Sequence, residues 1–416
     1  MFNAAADRAM QMLAGCRERA SEVQNVLWRS SNAGPSPSSH QPSICDILVV
    51  KIMLQRRTGL PLEIIDVIID EAAYWARSHT HFMGEKGRGL TASSRGGHGN
   101  RFVLRTPPLG FLRPPVRGDA TAQRKYTNKE PTPIPAEIAA RGGDCSAEDI
   151  REWLPAGQAP LLEHPCRRIV FTFVSRDQGW ASHRHENDEF KGSYSWFDVG
   201  LERYGWQGER AEPSPANVNN KTDSDSESES ESESESESES ESGSESGSGS
   251  EPESEMSTTS SVPVASESAV LYTVRPSVVA APVAPAVLGN ISSQTPSDQP
   301  PQNWQFDFPL NPGSDRLQSN SVASPIYTEY KVAWSWDDEK PPLLEEVLEE
   351  GSTAAAGDDR PSRCPLELAG RGSDTGDGSF VRNLRVGDVV TVWAKARYPG
   401  WSNTVRDMRV DVYWTV

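Results

Sequence analysis

"RRIVFTFVS", Arg167 to Ser175, sets Ile169, Phe171 and Phe173 on one side and Val170, Thr172 and Val174 on the other. That is the two-residue period of an extended strand, apolar enough on both sides to be covered on both. The same period returns far downstream. "IYTEYKVAWSWDDE" alternates Tyr330, Val332, Trp334 and Trp336, and "FVRNLRVGDVVTVWAKARY" predicts two short β segments around a Gly387-Asp388 turn. "MRVDVYWTV" alternates Met408, Val410, Val412 and Trp414. Close behind the first strand, "GSYSWFDVGLER" adds a further aromatic-rich segment.

A tract opening "SDSESESESES" at Ser224 and running to Glu255 separates these two groups. The early group has too few strands to close a sandwich, and the later one would leave an edge and an apolar face without a partner. The expected fold is therefore mainly β: one antiparallel, jelly-roll-like β-sandwich built from residues 161–206 and 315–416. Residues 207–314 are then a disordered, acidic Ser/Glu-rich insert, which the slow growth of loop-closure entropy tolerates. Nearly every serine of the tract has Glu at i+3, a pattern suited to phosphorylation by an acid-directed kinase; a tolerated, solvated repeat explains it equally well.

The formal charge is −18, of which residues 223–255 supply 14 acidic groups, leaving −4 for the rest. A near-neutral body lacks the clustered Lys and Arg of a general nucleic-acid binder. The five cysteines, Cys16, Cys45, Cys145, Cys166 and Cys364, are odd in number, widely spaced and without a CxxC pair. Neither a disulfide framework nor a zinc site is expected, and a reducing compartment fits best. Asp7 and Arg8 interrupt what would be a signal peptide, and no run approaches the length of a membrane span. The expected setting is cytoplasmic or nuclear, without membrane contact.

Upstream, residues 1–42 read as disorder or a short helix. Residues 43–83 read as a helical segment: Ser43 and Asp46 have capping-box spacing, Gly59 stops the first helix, and Pro61 opens the second. Ile64, Ile65, Ile68, Ile69, Ala72 and Trp75 then make one apolar stripe. Residues 84–160, rich in Gly, Pro and Arg with no sustained period, read as an irregular linker, and "RGGHGNR" within them as flexible chain rather than a nucleic-acid tail.

"DQGW" (Asp177, Gln178, Gly179, Trp180) and "RYPGWSN" (Arg397 to Asn403) each set a Gly-Trp pair in a loop after a strand. Loops at sandwich ends are where such folds bind, and Trp offers a flat apolar face with one donor. Asp177, Gln178, Trp180, Tyr398, Trp401 and Asn403 are the ligand-binding candidates; the alternative is that each Trp lids the core, and the binding reading gains if both loops share one rim. "SHRHEND" carries His183 and His185 beside Glu186 and Asp188, where a solvated loop outweighs a metal site. Asp337 and Asp338 in "WSWDDE" are sequence neighbours that diverge, and so fit a strand end entering a turn better than an acid-base pair. No nucleophile elbow, phosphate loop or metal motif is present, so no catalytic residue, cofactor or enzyme activity is expected.

The quoted β segments, together with "ICDILVVKIMLQRRTGLPLEIIDVIIDEAAYW", resemble a family of uncharacterised proteins from filamentous fungi that has an N-terminal helical segment before a β-region. Leu60, Pro61, Glu63, Ile64 and Ile68 resemble the opening of an F-box, which implies docking to the adaptor subunit of a cullin-type ubiquitin ligase. The sandwich is similar to galactose-binding-like recognition domains, and that likeness names no ligand-contacting residue here. Two functions follow as expectations. One is an adaptor with Leu60, Pro61, Ile64, Ile65 and Ile68 docking a protein partner; the other is a stand-alone binding module whose helices merely pack on the sandwich. Accessibility of the Ile64–Ile69 stripe discriminates them.

Overall fold

β4 (Cys166–Arg176) and β12 (Ser402–Trp414) are antiparallel neighbours at the centre of one sheet, with Ile169 opposite Val412 and Phe171 opposite Val410. The computed structural model describes residues 41–84, 89–95, 98–116, 118–154, 159–181, 188–207, 269–281, 303–339 and 364–416. In this first sheet β1 (Ala76–Met83) and β2 (Leu90–Ser93) both pair with β12, and β10 (Thr328–Ser335) pairs with β4. The second sheet runs β3 (Asn100–Arg105), β11 (Val389–Ala396), β5 (Ser195–Trp206), β6 (Ala269–Arg275), with β9 (Gln318–Ser319) also on β5. A ribbon of β7 (Val278–Ala280) and β8 (Trp304–Phe306) pairs with neither sheet but packs on the second, with the Phe306 ring 5.3 Å from that of Trp393.

Both sheets are antiparallel and turn one face inward, as a sandwich requires. Ile169, Phe171, Phe173, Val410 and Val412 from the first sheet join Phe197, Val199, Val390, Val392 and Ala394 from the second in one core. The ring centroids of Phe173 and Phe197 lie 4.5 Å apart across it. Burial of each large side chain is worth about 1.5–3 kcal/mol, so this cluster holds the two halves of the sequence together. The tract from Ser224 therefore interrupts a domain: β5 and β6 pair through Trp206 and Ala269 on either side of it.

The linker expected over 84–160 is corrected by β2 and β3, which lie in the two sheets, and by three short helices. These are α3 (Ala120–Asn128), α4 (Ala136–Ala139) and α5 (Ala147–Glu152). Phe111, Ile150, Trp153 and Leu154 form a second core with Tyr204, Val386 and Val389. The Gly- and Pro-rich chain is thus a cover for the second sheet, ordered by tertiary contact rather than by its own periodicity. Within the expected insert, β6, β7 and β8 are strands, a further correction; the Ser/Glu tract itself lies outside the described residues. Only the second of the two segments expected around Gly387 is a strand. The first is a short helix, Ser379–Arg382.

The N-terminal helices α1 (Ile44–Thr58) and α2 (Leu62–Glu71) start and stop as the sequence predicts. Ser43 and Asp46 form the capping box, and Gly59 takes the left-handed conformation at φ 66°. The span assigned to helix ends earlier, since Ala76–Met83 is strand β1 and Trp75 lies beyond α2. Ile44, Ile47, Ile65 and Ile69 enter the main core. The Lys51 ammonium pairs with Asp66 at 2.7 Å and donates to the carbonyl of Val416. Asp70 accepts from the Arg167 guanidinium at 3.0–3.1 Å and from the Trp75 indole at 2.9 Å. The helix pair is built into the sandwich.

Candidate functional site

β4 and β11 end at the same rim of the sandwich, and the loops that leave them touch. After β4, the Asp177 carboxylate accepts from the backbone N–H of Gly179 and of Ala323, both at 2.7 Å, tying its loop to residues 320–327. Gly179, at φ 86°, lets the chain press against Pro325. Gln178 donates to the Trp180 carbonyl at 2.7 Å and accepts from the Ser402 amide at 3.3 Å, bridging to the second loop. Trp180 then lies over Gly400: a Cβ there would come within 2.6 and 2.8 Å of its six-membered ring.

The second loop is braced from beneath. The Arg397 guanidinium donates to the carbonyls of Pro309 and Gly99 and to Asn100 Oδ1 at 2.7–3.2 Å, and stacks 5.3 Å from the Trp196 ring. Tyr398, a non-glycine residue at φ 63°, donates its hydroxyl to Asn311 Oδ1 at 3.1 Å. Strain of that kind persists only where surroundings enforce it, and such positions cluster at functional sites. Tyr194 meets Tyr398 and Trp401 edge-on at 4.5 and 5.4 Å.

The two Gly-Trp loops therefore share one rim, as the binding reading needs. Trp180 is 56% exposed and Tyr398 48%, with Ile326 (73%) and Leu310 (72%) beside them. Trp401 is half-buried against the core, nearer its expected alternative as a lid. Two candidates are corrected. Asp177 is buried and both its oxygens serve backbone amides, so it shapes the loop rather than facing a ligand; burial raises its pKa despite those bonds. Asn403 is fully buried and donates to the Trp196 carbonyl at 2.8 Å. The sequence did not single out Tyr194, Leu310 or Ile326, which reach the rim only through the fold.

On one flank, the Arg176 and Arg406 guanidiniums lie 4.7 and 4.9 Å from the Tyr327 ring. The rim thus offers flat aromatic faces, aliphatic side chains and a cationic border, and no nucleophile or acid-base pair among the described residues.

Among the docking candidates, Pro61 and Ile64 are exposed, Ile68 and Leu60 half-buried, and Ile65 fully buried. Ile65 is corrected because α2 turns it, with Ile69, into the core. His183, His185 and Glu186 lie outside the described residues, and Asp188 accepts from the amides of Phe190 and Lys191 in a turn. Asp337 and Asp338 both bond Ser335 where β10 enters its turn. No group of three or more potential ligands that could hold a metal occurs among the described residues.

Two grooves lie away from the rim, each about 340 Å³. In the first, Asp388 is held by Arg203 at 2.8 and 3.1 Å; in the second, Arg275 pairs with Asp315. Their main charges are matched within the chain. No protein-family model, characterised protein or solved structure matches this chain.

Proposed function

We propose that the protein is a non-enzymatic binding module whose sandwich rim, centred on Trp180 and Tyr398, holds a protein partner presenting a flat apolar surface. The observation that carries the reading is the seating of Trp180 on Gly400 from the neighbouring loop, which holds an exposed aromatic face in place before any partner arrives. Rigid, exposed Trp and Tyr lose little entropy on binding and are the residues most often found at energetic centres of interfaces. The helices support the stand-alone module over the adaptor, because Ile65 and Ile69 pack inward and Asp70 grips Arg167. Free thiols at Cys45, Cys166 and Cys364 support work in the reducing cytoplasm or nucleus. Among the described residues, no helix is long and apolar enough to cross a membrane.

Selection from a displayed random-peptide library tests the rim. Selected peptides should lose roughly tenfold or more in affinity toward a Trp180→Ala, Tyr398→Ala variant. Equal affinity for the folded variant would place the binding surface elsewhere.

Exposure of Pro61 and Ile64 favours a second role, docking a ligase adaptor subunit. Ile64→Asp should then abolish co-elution with purified adaptor, and failure of the unaltered chain to co-elute would remove this role.

A further inference from the structure

We propose that the outward face of the first sheet is a second docking surface, separate from the aromatic centre of the rim, for an extended acidic segment of a partner protein. Ile169, Phe171, Val332, Met408 and Val410 point into the core, so the residues between them point out. Among the described residues this outer side carries the cations Arg77, Arg168, Arg176, Lys331, Arg406 and Arg409 against the carboxylates Glu329, Asp407 and Asp411. The chain outside residues 223–255 sums to −4. The local excess of positive charge is therefore made by the fold, which sets β1, β12, β4 and β10 side by side.

Pairing within the chain widens the excess. Asp411 is held by His79 at 3.0 Å and Arg409 at 2.8 Å, and Asp407 by His81 at 2.8 Å. Asp337 and Asp338, where β10 enters its turn, bond Ser335. Lys331, Arg406 and Arg168, the last near Asp338, form no ion pair among the described residues, and Arg176 donates to the Pro325 carbonyl. Lys331 and Arg406 are exposed; Arg168 and Arg176 are half-buried.

The charge pattern selects the occupant. Glu329, Asp407 and Asp411 interrupt the cations, and a continuous phosphate backbone would meet them as like charges. Tyr413 on this face and Tyr327 at its border are half-buried, the latter between the Arg176 and Arg406 guanidiniums, so nucleic-acid bases find little to stack on. A protein segment with spaced carboxylates meets neither obstacle, and its charge complements the unpaired cations. Arg168 and Arg176 stand near opposite ends of β4, about 27 Å apart, a span of about eight extended residues.

Fluorescence anisotropy of a labelled peptide of alternating Glu and Thr, ten residues long, tests the face on the full chain at low salt. The peptide should bind, and Lys331→Glu with Arg406→Glu should weaken it at least roughly tenfold at an unchanged urea midpoint. Arg124→Glu with Lys125→Glu makes the same change of charge on exposed positions of α3, which packs against β3 of the other sheet, and should leave the Kd within about twofold. Where the first pair lowers the urea midpoint, Lys331→Gln alone should still weaken binding by about threefold. No binding by the unaltered chain, equal binding of a Gln-Thr peptide of the same length, or an equal loss in both charge-reversed pairs would overturn the proposal. Tighter binding of a single-stranded oligothymidine of similar length would overturn it in favour of nucleic acid.

Discussion

Gly400→Ala tests the rim at its most exacting contact. A methyl group at this position meets the Trp180 ring at 2.6 and 2.8 Å, and the backbone sits at φ 98°, where an L side chain is strained. The strain costs roughly 1–2 kcal/mol. Trp180 is 56% exposed, so roughly 110 Å² of the residue is covered, and we take about half of that as the area lost when the ring leaves the second loop. Swinging the ring away forfeits about 1–1.5 kcal/mol. Gly400→Ala should therefore cost about 2–3.5 kcal/mol in all. In a Trp180→Ala background the ring is already gone, and only the strain remains. The double variant should be more stable than the summed single costs imply, by a coupling of about 1–1.5 kcal/mol, well above the 0.3–0.5 kcal/mol scatter of independent sites. Urea unfolding of the four chains, followed by circular dichroism, measures the cycle. Costs that add within that scatter would show that Trp180 does not rest on the second loop, and the preformed rim would lose its basis.

Glu202 gives a pH signature: burial, opposed by Arg105 and Lys129, raises its pKa from 4.5 to about 7. A carboxyl raised in the folded state stabilises most below its unfolded pKa, and that contribution is lost as pH rises through the folded value. The urea midpoint should thus fall between pH 5 and 8 by the equivalent of about 3 kcal/mol, with Glu202→Gln flattening the profile; a midpoint that rises over this range would contradict the burial. At Gly205 an added Cβ collides with Ala140, so Gly205→Ala should cost about 2–3 kcal/mol and expose residues 140–154 to protease ahead of the sheets; protection equal to the unaltered chain would count against the packing of that cover. Replacing residues 207–268 by a four-residue turn between Trp206 and Ala269 should leave the sandwich folded and raise its stability by roughly 2 kcal/mol of loop-closure entropy, read from urea unfolding, and a chain that no longer folds would show that the insert is part of the domain.

What the sequence discloses depends on whether a strand's partners share its period. β4, β10 and β12 were legible because Ile169, Phe171, Val332, Trp334, Met408 and Val410 all point into one apolar core. β1 is hidden because its inward positions, Ala76, Ser78 and Thr80, are small or hydroxylated while His79 and His81 pair outward with Asp411 and Asp407. β3 is hidden by a register shift between Val392 and Trp393 on its neighbour, which leaves Phe102, Val103 and Leu104 buried in succession. The covering segment 106–154 has no period because it packs on a sheet already formed, through Trp153 on Tyr204 at 5.3 Å.

The same logic separates the residues of the rim. A Gly-Trp pair in a loop is a local signal, and both pairs were visible; that one glycine serves the other loop's tryptophan is a property of the closed sandwich alone. Asp177 and Asn403 look like ligand contacts in sequence because they are polar and adjacent to aromatics. Burial reverses their role, since a polar group removed from water must be bonded, and the nearest unpaired groups are the backbone amides and carbonyls of the loops themselves. The polar candidates thus fix the shape of the loops, and the aromatic ones are left to make contact. It follows that a substitution at Asp177 acts on binding only through the position of Trp180: Asp177→Asn, which returns one donor where an acceptor is needed, should weaken peptide binding and stability together, whereas Tyr398→Ala weakens binding with stability nearly kept. Calorimetric Kd and urea midpoint on the two variants separate these outcomes, and an Asp177→Asn chain that binds weakly at full stability would return the carboxylate to the ligand.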